Sequence, residues 1–388
     1  MKYIDLFCGI GGFHQALNEL NCECILACDI DEKCCKVYKN NYLIEPLKDI
    51  KKIDEKTLPD FDIICAGFPC QAFSNGGNKK SFEDKRGLLF DEIIRIASYK
   101  KPKFMFLENV KHILKVSDGK VIEYIKKELD KIDYNLQIFN LSPHNFNIPQ
   151  QRERIFFIAI RKDIYKNDIE LYCKKKEITI DDIIESIVDN KYKINLEIEN
   201  VLDAWNEIIK VFEVGEKISP TILINDYYRN YTNEEFEVLP KWKKDYMTKN
   251  KPLINKYKKQ FDIWYNKHKD LLLKREIYGK LEWQTGVIIK NESIYNHFIQ
   301  FRQSGIRIKK NKYFPTLVAI VQTPIYGKLK RYITPRECAR LQSFPDNFIL
   351  DTNDNSAYKQ LGNSVNVYNV FTIINSTFKH YNLSYKSL

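Results

Sequence analysis

The chain has 388 residues, of which 44% are hydrophobic and 29% are charged, and its formal net charge is +11 at pH 7. This length suits two domains, and the positive charge favours a polyanionic partner without identifying it. The sequence contains no apolar stretch of about 18 residues, and Met1 leads directly into a predicted strand. We therefore expect a cytoplasmic protein without a membrane partner.

The first 160 residues alternate short apolar runs with amphipathic stretches, which predicts an α/β domain with a largely parallel sheet. Strands are predicted at residues 2–7, 24–28, 62–66, 103–107, 136–141 and 154–160. Helices are predicted between them at residues 13–20, 32–40, 88–98 and 120–132.

The region from about 165 to 305 is weakly periodic, rich in Lys, Asn, Ile and Tyr, and contains all four tryptophans. This change in composition predicts a separate module. After it, Thr334 and Pro335 mark the start of a helix. We expect a last apolar helix, at residues 365–378, to return to the first sheet.

Two features leave alternatives open. Residues 241–283 contain 13 Lys and Arg against 5 Asp and Glu, interleaved with aromatic residues. The stretch suits either a surface that follows phosphates or a solvated helix whose aromatic residues face the core. The ten cysteines lack the paired spacing of a zinc site, so we interpret them as free thiols and predict no metal.

Chemistry-bearing residues follow several predicted strands, at the edge where open α/β sheets bind ligands. The first strand leads into a glycine-rich turn at residues 5–12, and the second ends at Asp29, a spacing that suits a nucleoside cofactor. The third leads through Pro69 to Cys70, which is either a buried hydrophobe or a nucleophile.

A polar, basic loop at residues 72–89 follows Cys70 and suits closure over a substrate. The fourth strand ends at Glu108, and the alternation of Arg152 and Arg154 predicts that both point to one face. A thiol, a carboxylate and two arginines around a nucleoside pocket indicate covalent catalysis on an anionic substrate.

The same motifs give the chain a family resemblance. In order they are DLFCGIGG at 5–12, Asp29, Asp49-Ile50, GFPCQAFS at 67–74, ENV at 108–110, QQRER at 150–154, TPRECARLQSFPD at 334–346 and GNSV at 362–365. The sequence resembles the DNA cytosine-5 methyltransferases, particularly the bacterial restriction–modification type, along nearly its whole length. The resemblance implies a Rossmann-like S-adenosylmethionine-dependent methyltransferase domain at 1–165 and 331–388, with a smaller target-recognition domain inserted at 166–330.

The resemblance also implies residue roles. Cys70 is the expected nucleophile, and Glu108 and Arg154 contact the cytosine, with Arg152 grouped among the catalytic residues as a support of the site. The expected S-adenosylmethionine pocket consists of Phe7, Gly9, Gly11, Asp29, Ile30, Asp49, Ile50, Pro69, Leu89, Asn363, Ser364 and Val365. The expected DNA contacts are Gln71, Ser74, Asn75, Arg86, Gln303 and Arg307.

The implied reaction transfers the methyl group to carbon 5 of a flipped-out cytosine in a short duplex sequence and leaves S-adenosylhomocysteine. A monomer and a cognate restriction endonuclease are family expectations. Two rival functions are a tRNA cytosine methyltransferase and a catalytically silent DNA-binding homologue. The Cys-Phe-Thr motif of the RNA branch is not present, and Cys70 and Glu108 argue against the silent homologue. The recognition sequence itself does not follow from these motifs.

Overall fold

A computed structural model describes residues 1–69, 89–317 and 322–383, which form two compact units. The first unit comprises Met1–Ile183, residues 316 and 317, and the segment from Pro335 onward. The second comprises Ile184–Pro315 and residues 322–334. Within the described ranges, no helix is both long and apolar enough to cross a membrane.

The unit boundaries lie later in the chain than predicted, at 183/184 instead of 165/166 and at 334/335 instead of 330/331. Hydrogen bonds hold residues 166–183 to the first unit: the Ile169 N–H donates to Gln137 Oε1 at 2.8 Å and the Tyr172 N–H to Ser376 Oγ at 2.9 Å. Strand pairing around Arg331 keeps the second boundary close to Pro335.

The first unit contains six strands and the helices between and after them. The strands are β1 (Lys2–Leu6), β2 (Glu23–Cys28), β3 (Ile63–Ala66), β4 (Phe104–Val110), β5 (Tyr134–Leu141) and β6 (Arg154–Arg161). The helices are α1 (Gly12–Asn18), α2 (Glu32–Tyr42), α3 (Leu89–Lys100), α4 (Lys120–Lys131) and α5 (Ile180–Ile183). The numbering resumes after the second unit with α11 (Pro335–Leu341), α12 (Asp354–Asn363) and α13 (Val367–His380).

The first sheet has the order β2-β1-β3-β4-β6-β5. Its first four strands run parallel, and β6 runs antiparallel to both of its neighbours. The central strand β3 is buried at all four positions, as expected for a parallel strand covered on both faces. This architecture confirms the predicted α/β class, and it brings the ends of β1, β2, β3 and β4 to one edge.

The second unit combines helices with a second six-stranded sheet of order β12-β11-β9-β10-β8-β7. Its helices are α6 (Leu196–Ile209), α7 (Ile224–Tyr227), α8 (Asn233–Glu237), α9 (Lys241–Lys256) and α10 (Lys258–Lys274). Its strands are β7 (Thr221–Leu223), β8 (Lys280–Gln284), β9 (Phe298–Arg302), β10 (Gly305–Lys309), β11 (Ile325–Tyr326) and β12 (Arg331–Tyr332). Trp205 on α6 and Trp264 on α10 anchor its core.

Candidate active site

Backbone geometry shapes the turn between β1 and α1. Phe7, Gly9 and Gly11 have positive φ angles of 54°, 53° and 92°. The Gly9 N–H donates to Asp29 Oδ2 at 2.7 Å, which ties this turn to the end of β2. A Cβ added to Gly12 would lie 2.5 Å from Val365 Cγ2, so glycine allows the segment before α13 to approach the turn closely.

Asp29 uses both carboxylate oxygens within the protein. Its Oδ1 accepts the N–H of Asp31 at 2.8 Å, in addition to the bond from Gly9 to Oδ2. Burial raises the pKa of the Asp29 carboxyl, and the backbone N–H donors oppose that rise. Each oxygen can accept a second bond, so Asp29 is able to order the turn and still bind a ligand hydroxyl.

A cavity of about 480 Å³ opens beside this turn. Eight residues of the predicted cofactor pocket line it: Phe7, Gly9, Asp29, Ile30, Pro69, Asn363, Ser364 and Val365. Ile30 is 81% exposed, so an apolar side chain on the cavity lining has no packing partner that covers it. Glu108 and Arg154 line the same cavity, which places the predicted cofactor and base-binding residues around one space.

Four other predicted cofactor residues are not among the residues that line this cavity, and their role in cofactor binding stays a prediction. Gly11 precedes α1 and lies against the Tyr42 ring. Asp49 caps a short 3-10 helix by accepting the Lys51 N–H at 3.0 Å. Ile50 is buried in the core of the first unit, and Leu89 packs against that core. A motif identifies a segment near the ligand, but only the fold decides which of its side chains face the cavity.

Glu108 and Arg154 form a buried ion pair across β4 and β6. Arg154 Nε lies 3.0 Å from Glu108 Oε1, and their side chains are only 14% and 10% exposed. Burial raises the pKa of Glu108, although the positive charges of Arg154 and Arg152 oppose the rise. The site therefore holds a carboxyl with an enhanced tendency to retain a proton beside a guanidinium group.

Arg152 has surroundings unlike those of Arg154. Residues 150–153 are not part of a strand and β6 begins at Arg154, so the predicted alternation does not apply. The Arg152 side chain is almost completely buried and donates to Leu317 O at 2.8 Å, Gly362 O at 2.9 Å and Ser364 O at 2.8 Å. Arg152 therefore supports the GNSV segment and is not among the residues that line the cavity, while its grouping with the catalytic residues stays a prediction.

The segment that leads to Cys70 is held by the ENV motif. Asn109 Nδ2 donates to Phe68 O at 2.9 Å, and Asn109 Oδ1 accepts the N–H of Val110 at 2.8 Å. Pro69, the last described residue before Cys70, lines the cavity. Cys70 and the predicted DNA contacts Gln71, Ser74, Asn75 and Arg86 lie outside the described residues.

The remaining predicted DNA contacts belong to the second unit. Gln303 is exposed in the turn between β9 and β10. Arg307 lies on β10, and its Nη2 is 2.9 Å from Glu282 Oε1 on β8. Arg307 is therefore engaged by a neighbouring strand, whereas Gln303 points from the turn into solvent-accessible space.

The structure explains most of the basic stretch 241–283 without nucleic acid. Eight of its 13 cations form ion pairs: Lys243, Lys244, Lys256, Lys258, Lys267, Lys274, Arg275 and Lys280. Six of these pair with acids outside the stretch, such as Glu207 and Glu197. Phe261 and Trp264 are buried in the unit's core. These observations favour the solvated helices over a phosphate-following surface.

Several cavity residues escaped the sequence analysis. Phe13 and Cys34 line the cavity from the first turns of α1 and α2, and Gln360 lines it from α12. Their spacing is that of ordinary helix positions, so the sequence carries no signal for them. Asp31 also lines the cavity, follows Asp29 by two residues and caps α2. Its position between Asp29 and the start of a predicted helix is a sequence signal that could have identified it. Among the described residues, no group of three or more His, Cys, Asp or Glu side chains is placed to hold a metal ion.

The fold and the site define an α/β enzyme with a ligand cavity at the edge of its sheet, and known structures share this fold. Chains from Entamoeba histolytica (the methyltransferase EhMeth) and Spodoptera frugiperda (a DNMT2 mutant) superpose with TM-scores of 0.57 and 0.58. Their sequences are 21% and 22% identical to this one, and the alignments cover 98% and 97% of this chain and 98% and 99% of theirs. At these identities the likeness establishes the Rossmann-like fold alone.

Sequence comparison supplies the family. The profile described as C-5 cytosine-specific DNA methylase matches residues 1–379. The Type II methyltransferase M.HhaI of Haemophilus parahaemolyticus is 32% identical over 96% of this chain and 93% of its own length. The Type II methyltransferase M.BanI of Aneurinibacillus aneurinilyticus is 31% identical over 98% and 96%. The chain belongs to the C-5 cytosine-specific DNA methylases and is a DNA (cytosine-5-)-methyltransferase, which confirms the predicted family and enzyme class.

Proposed function

We propose that this enzyme methylates carbon 5 of a flipped-out cytosine within a short duplex DNA sequence, through a covalent bond between Cys70 and carbon 6. The observation that carries the proposal is the Glu108–Arg154 pair on the lining of the cavity that Gly9, Asp29 and Ser364 also line. A base beside this pair would lie next to the space proposed for the methyl donor.

The cavity fits S-adenosylmethionine by its donor and acceptor set. The Asp29 carboxylate would accept hydrogen bonds from ribose hydroxyls, and the exposed Ile30 side chain would cover one face of the adenine ring. Phe7, Gly9 and residues 363–365 would complete the binding site. When bound there, S-adenosylmethionine supplies an electrophilic methyl group.

Cys70 would act as the nucleophile because it follows Pro69, which lines the cavity. At an unperturbed pKa of about 8.5, only about 3% of a thiol is ionised at pH 7. A cation such as Arg154, which lines the same cavity as Pro69, would favour the thiolate by lowering the pKa of the thiol. The thiolate forms a bond to carbon 6, and the electrons of the carbon 5–carbon 6 double bond make carbon 5 nucleophilic. After methylation, carbon 5 loses its proton, the double bond re-forms and the Cys70 thiolate leaves.

Glu108 and Arg154 would bind the cytosine ring during these steps. Because burial raises the pKa of Glu108, this carboxyl is suited to share a proton with ring N3 as electron density moves into the ring. Arg154 can donate to the 2-oxo oxygen while it orients Glu108. Arg152 would take no part in proton transfer, because its Nη1 and Nη2 atoms donate to three backbone carbonyl groups and it is not among the residues that line the cavity.

The target carbon lies within the base stack of duplex DNA, so the base has to leave the helix, at a cost of a few kcal/mol. We propose that the loop after Cys70 holds the DNA, with Ser74 and Arg86 on phosphates and Gln71 or Asn75 near the vacated position. The second unit would select the sequence, the role that the family resemblance implies for residues 166–330. We further propose that the enzyme is a cytoplasmic monomer and that a cognate restriction endonuclease acts on the same site.

Base-resolution mapping of 5-methylcytosine tests the proposal, on plasmid DNA from a methylation-free bacterial host that expresses the protein. We expect one short motif with methylation at one position. Cys70→Ser should abolish methylation and leave S-adenosylhomocysteine binding within about twofold. Cys173→Ser, which alters an exposed free thiol, is the matched control and should retain full activity.

Three results would contradict this function. Methylation by Cys70→Ser at the wild-type rate would refute the nucleophile assignment. Unmethylated DNA together with methylated tRNA would support the RNA enzyme, whereas cofactor binding without transfer to either would support the silent homologue.

A further inference from the structure

The second sheet has two chemically different faces. Ile222, Leu281, Ile299 and Ile306 belong to the apolar core with α6 and α10. Strand alternation places the neighbouring positions on the opposite face. Those positions are mostly polar or charged: Glu282 and Gln284 on β8, Gln300 and Arg302 on β9, and Arg307 and Lys309 on β10.

A buried carboxylate organises this polar face. Glu282 is 8% exposed and pairs in register with Arg307 of β10. Its Oε1 lies 2.9 Å from Arg307 Nη2 and accepts from Gln284 Nε2 at 2.5 Å, and its Oε2 accepts from Ser304 Oγ at 3.3 Å. The carboxylate therefore holds groups from β8, β10 and the β9–β10 turn in fixed orientations.

The cluster lacks a partner for its second guanidinium group. In the described part of the chain, the Arg302 side chain has no hydrogen bond or ion pair within 4 Å. Burial and the nearby Arg307 charge lower its pKa, and the negative charge of Glu282 opposes that decrease. The Nε atom of Arg307 is also buried and has no hydrogen-bond partner among the described residues. Two partly buried arginines beside one carboxylate are costly unless another acceptor completes the arrangement.

We infer that Arg302 reads a guanine of the recognition sequence and that Glu282 and Arg307 position it. The planar fork of a guanidinium group matches the O6 and N7 acceptors of guanine in the major groove. A phosphate contact requires no such organised support, since a solvated lysine or arginine suffices. This inference rests on the proposed function, because it assigns a base-reading residue to a DNA methyltransferase.

Methylation mapping of Arg302 variants tests the assignment. Arg302→Ala should relax one guanine position of the wild-type motif, lowering discrimination there by roughly 5- to 150-fold while the same cytosine is still methylated. Arg302→Lys should relax the same position, because an ammonium group keeps the charge but cannot form the paired bonds. Glu282→Gln should also relax this position, because it removes the negative charge that attracts Arg302 and the carboxylate that holds Arg307.

Glu207→Gln is the matched control, since Glu207 pairs with Lys267 and His268 on the helices and not on the sheet. It should leave the motif unchanged. An unchanged motif in both Arg302 variants would overturn the inference. A phosphate contact would instead give an Arg302→Ala variant with activity lowered equally at all sequences and an Arg302→Lys variant with full activity, and this outcome would also overturn the inference. An inactive wild-type enzyme would instead overturn the proposed function.

Discussion

Replacement of Arg152 by methionine should remove the hydrogen bonds that hold Gly362 and Ser364 on the lining of the cavity. The side chain is 1% exposed, and its guanidinium group donates to the carbonyl oxygens of Leu317, Gly362 and Ser364. Methionine is of similar length but cannot donate a hydrogen bond, so three carbonyl groups around a buried side chain lose a donor.

The size of the effect follows from two opposing contributions. A buried polar group left without a partner costs about 1–3 kcal/mol, and neighbouring losses do not add fully. Removal of a desolvated cation offsets part of this cost, since burial already lowers the pKa of Arg152. We therefore expect Arg152→Met to lower the free energy of unfolding by about 2–4 kcal/mol. Because Gly362 and Ser364 line the cavity, cofactor affinity should fall about tenfold or more.

Urea unfolding measures the stability change, and calorimetric titration with S-adenosylhomocysteine measures the affinity. Arg161→Met is the matched control at the other end of β6, where Arg161 Nε pairs with the exposed Asp163 at 2.7 Å. A surface pair of this kind contributes about 1 kcal/mol or less. Equal losses in the two variants, or unchanged affinity in Arg152→Met, would refute the supporting role.

Three further changes probe the site and its surroundings. Glu108→Gln should slow single-turnover methylation by about 10²–10⁴-fold with little change in cofactor affinity, because an amide cannot exchange a proton with N3; a rate within fivefold of the wild type would contradict this role. Ile30→Ala should weaken S-adenosylhomocysteine binding about fivefold without changing Tm, since its exposed side chain stabilises no core; a lower Tm would show a structural role. Burial lowers the pKa of His14 to about 4, against about 6.5 in an unfolded chain, so the stability contributed by neutral His14 is complete above pH 6.5 and lost as the pH falls towards 4. Between pH 7 and 4.5, the free energy of unfolding measured with urea should therefore decrease by about 2–3 kcal/mol less in His14→Gln than in the wild type. An equal decrease in both proteins would refute this expectation.

Local features of the sequence determine the α/β class of the first unit and the order of its strands and helices along the chain. They also determine which edge of the first sheet carries the candidate site. The apolar runs at the four parallel strands and the turn at residues 5–12 have local causes: strand burial, side-chain alternation and backbone freedom at glycine. The motifs that contain Asp29, Glu108 and Arg154 are likewise short, so each can be identified from a few consecutive residues without knowledge of the rest of the fold.

The tertiary structure alone decided what many charged side chains contact. Arg152 and Arg154 are two residues apart, yet one binds three carbonyl groups and the other binds Glu108. The basic stretch is largely neutralised by acids distant in sequence, and Arg307 meets Glu282 across a strand pair. The physical reason is that ion pairing depends on distance in space and on the exclusion of water, and neither can be calculated from separation along the chain.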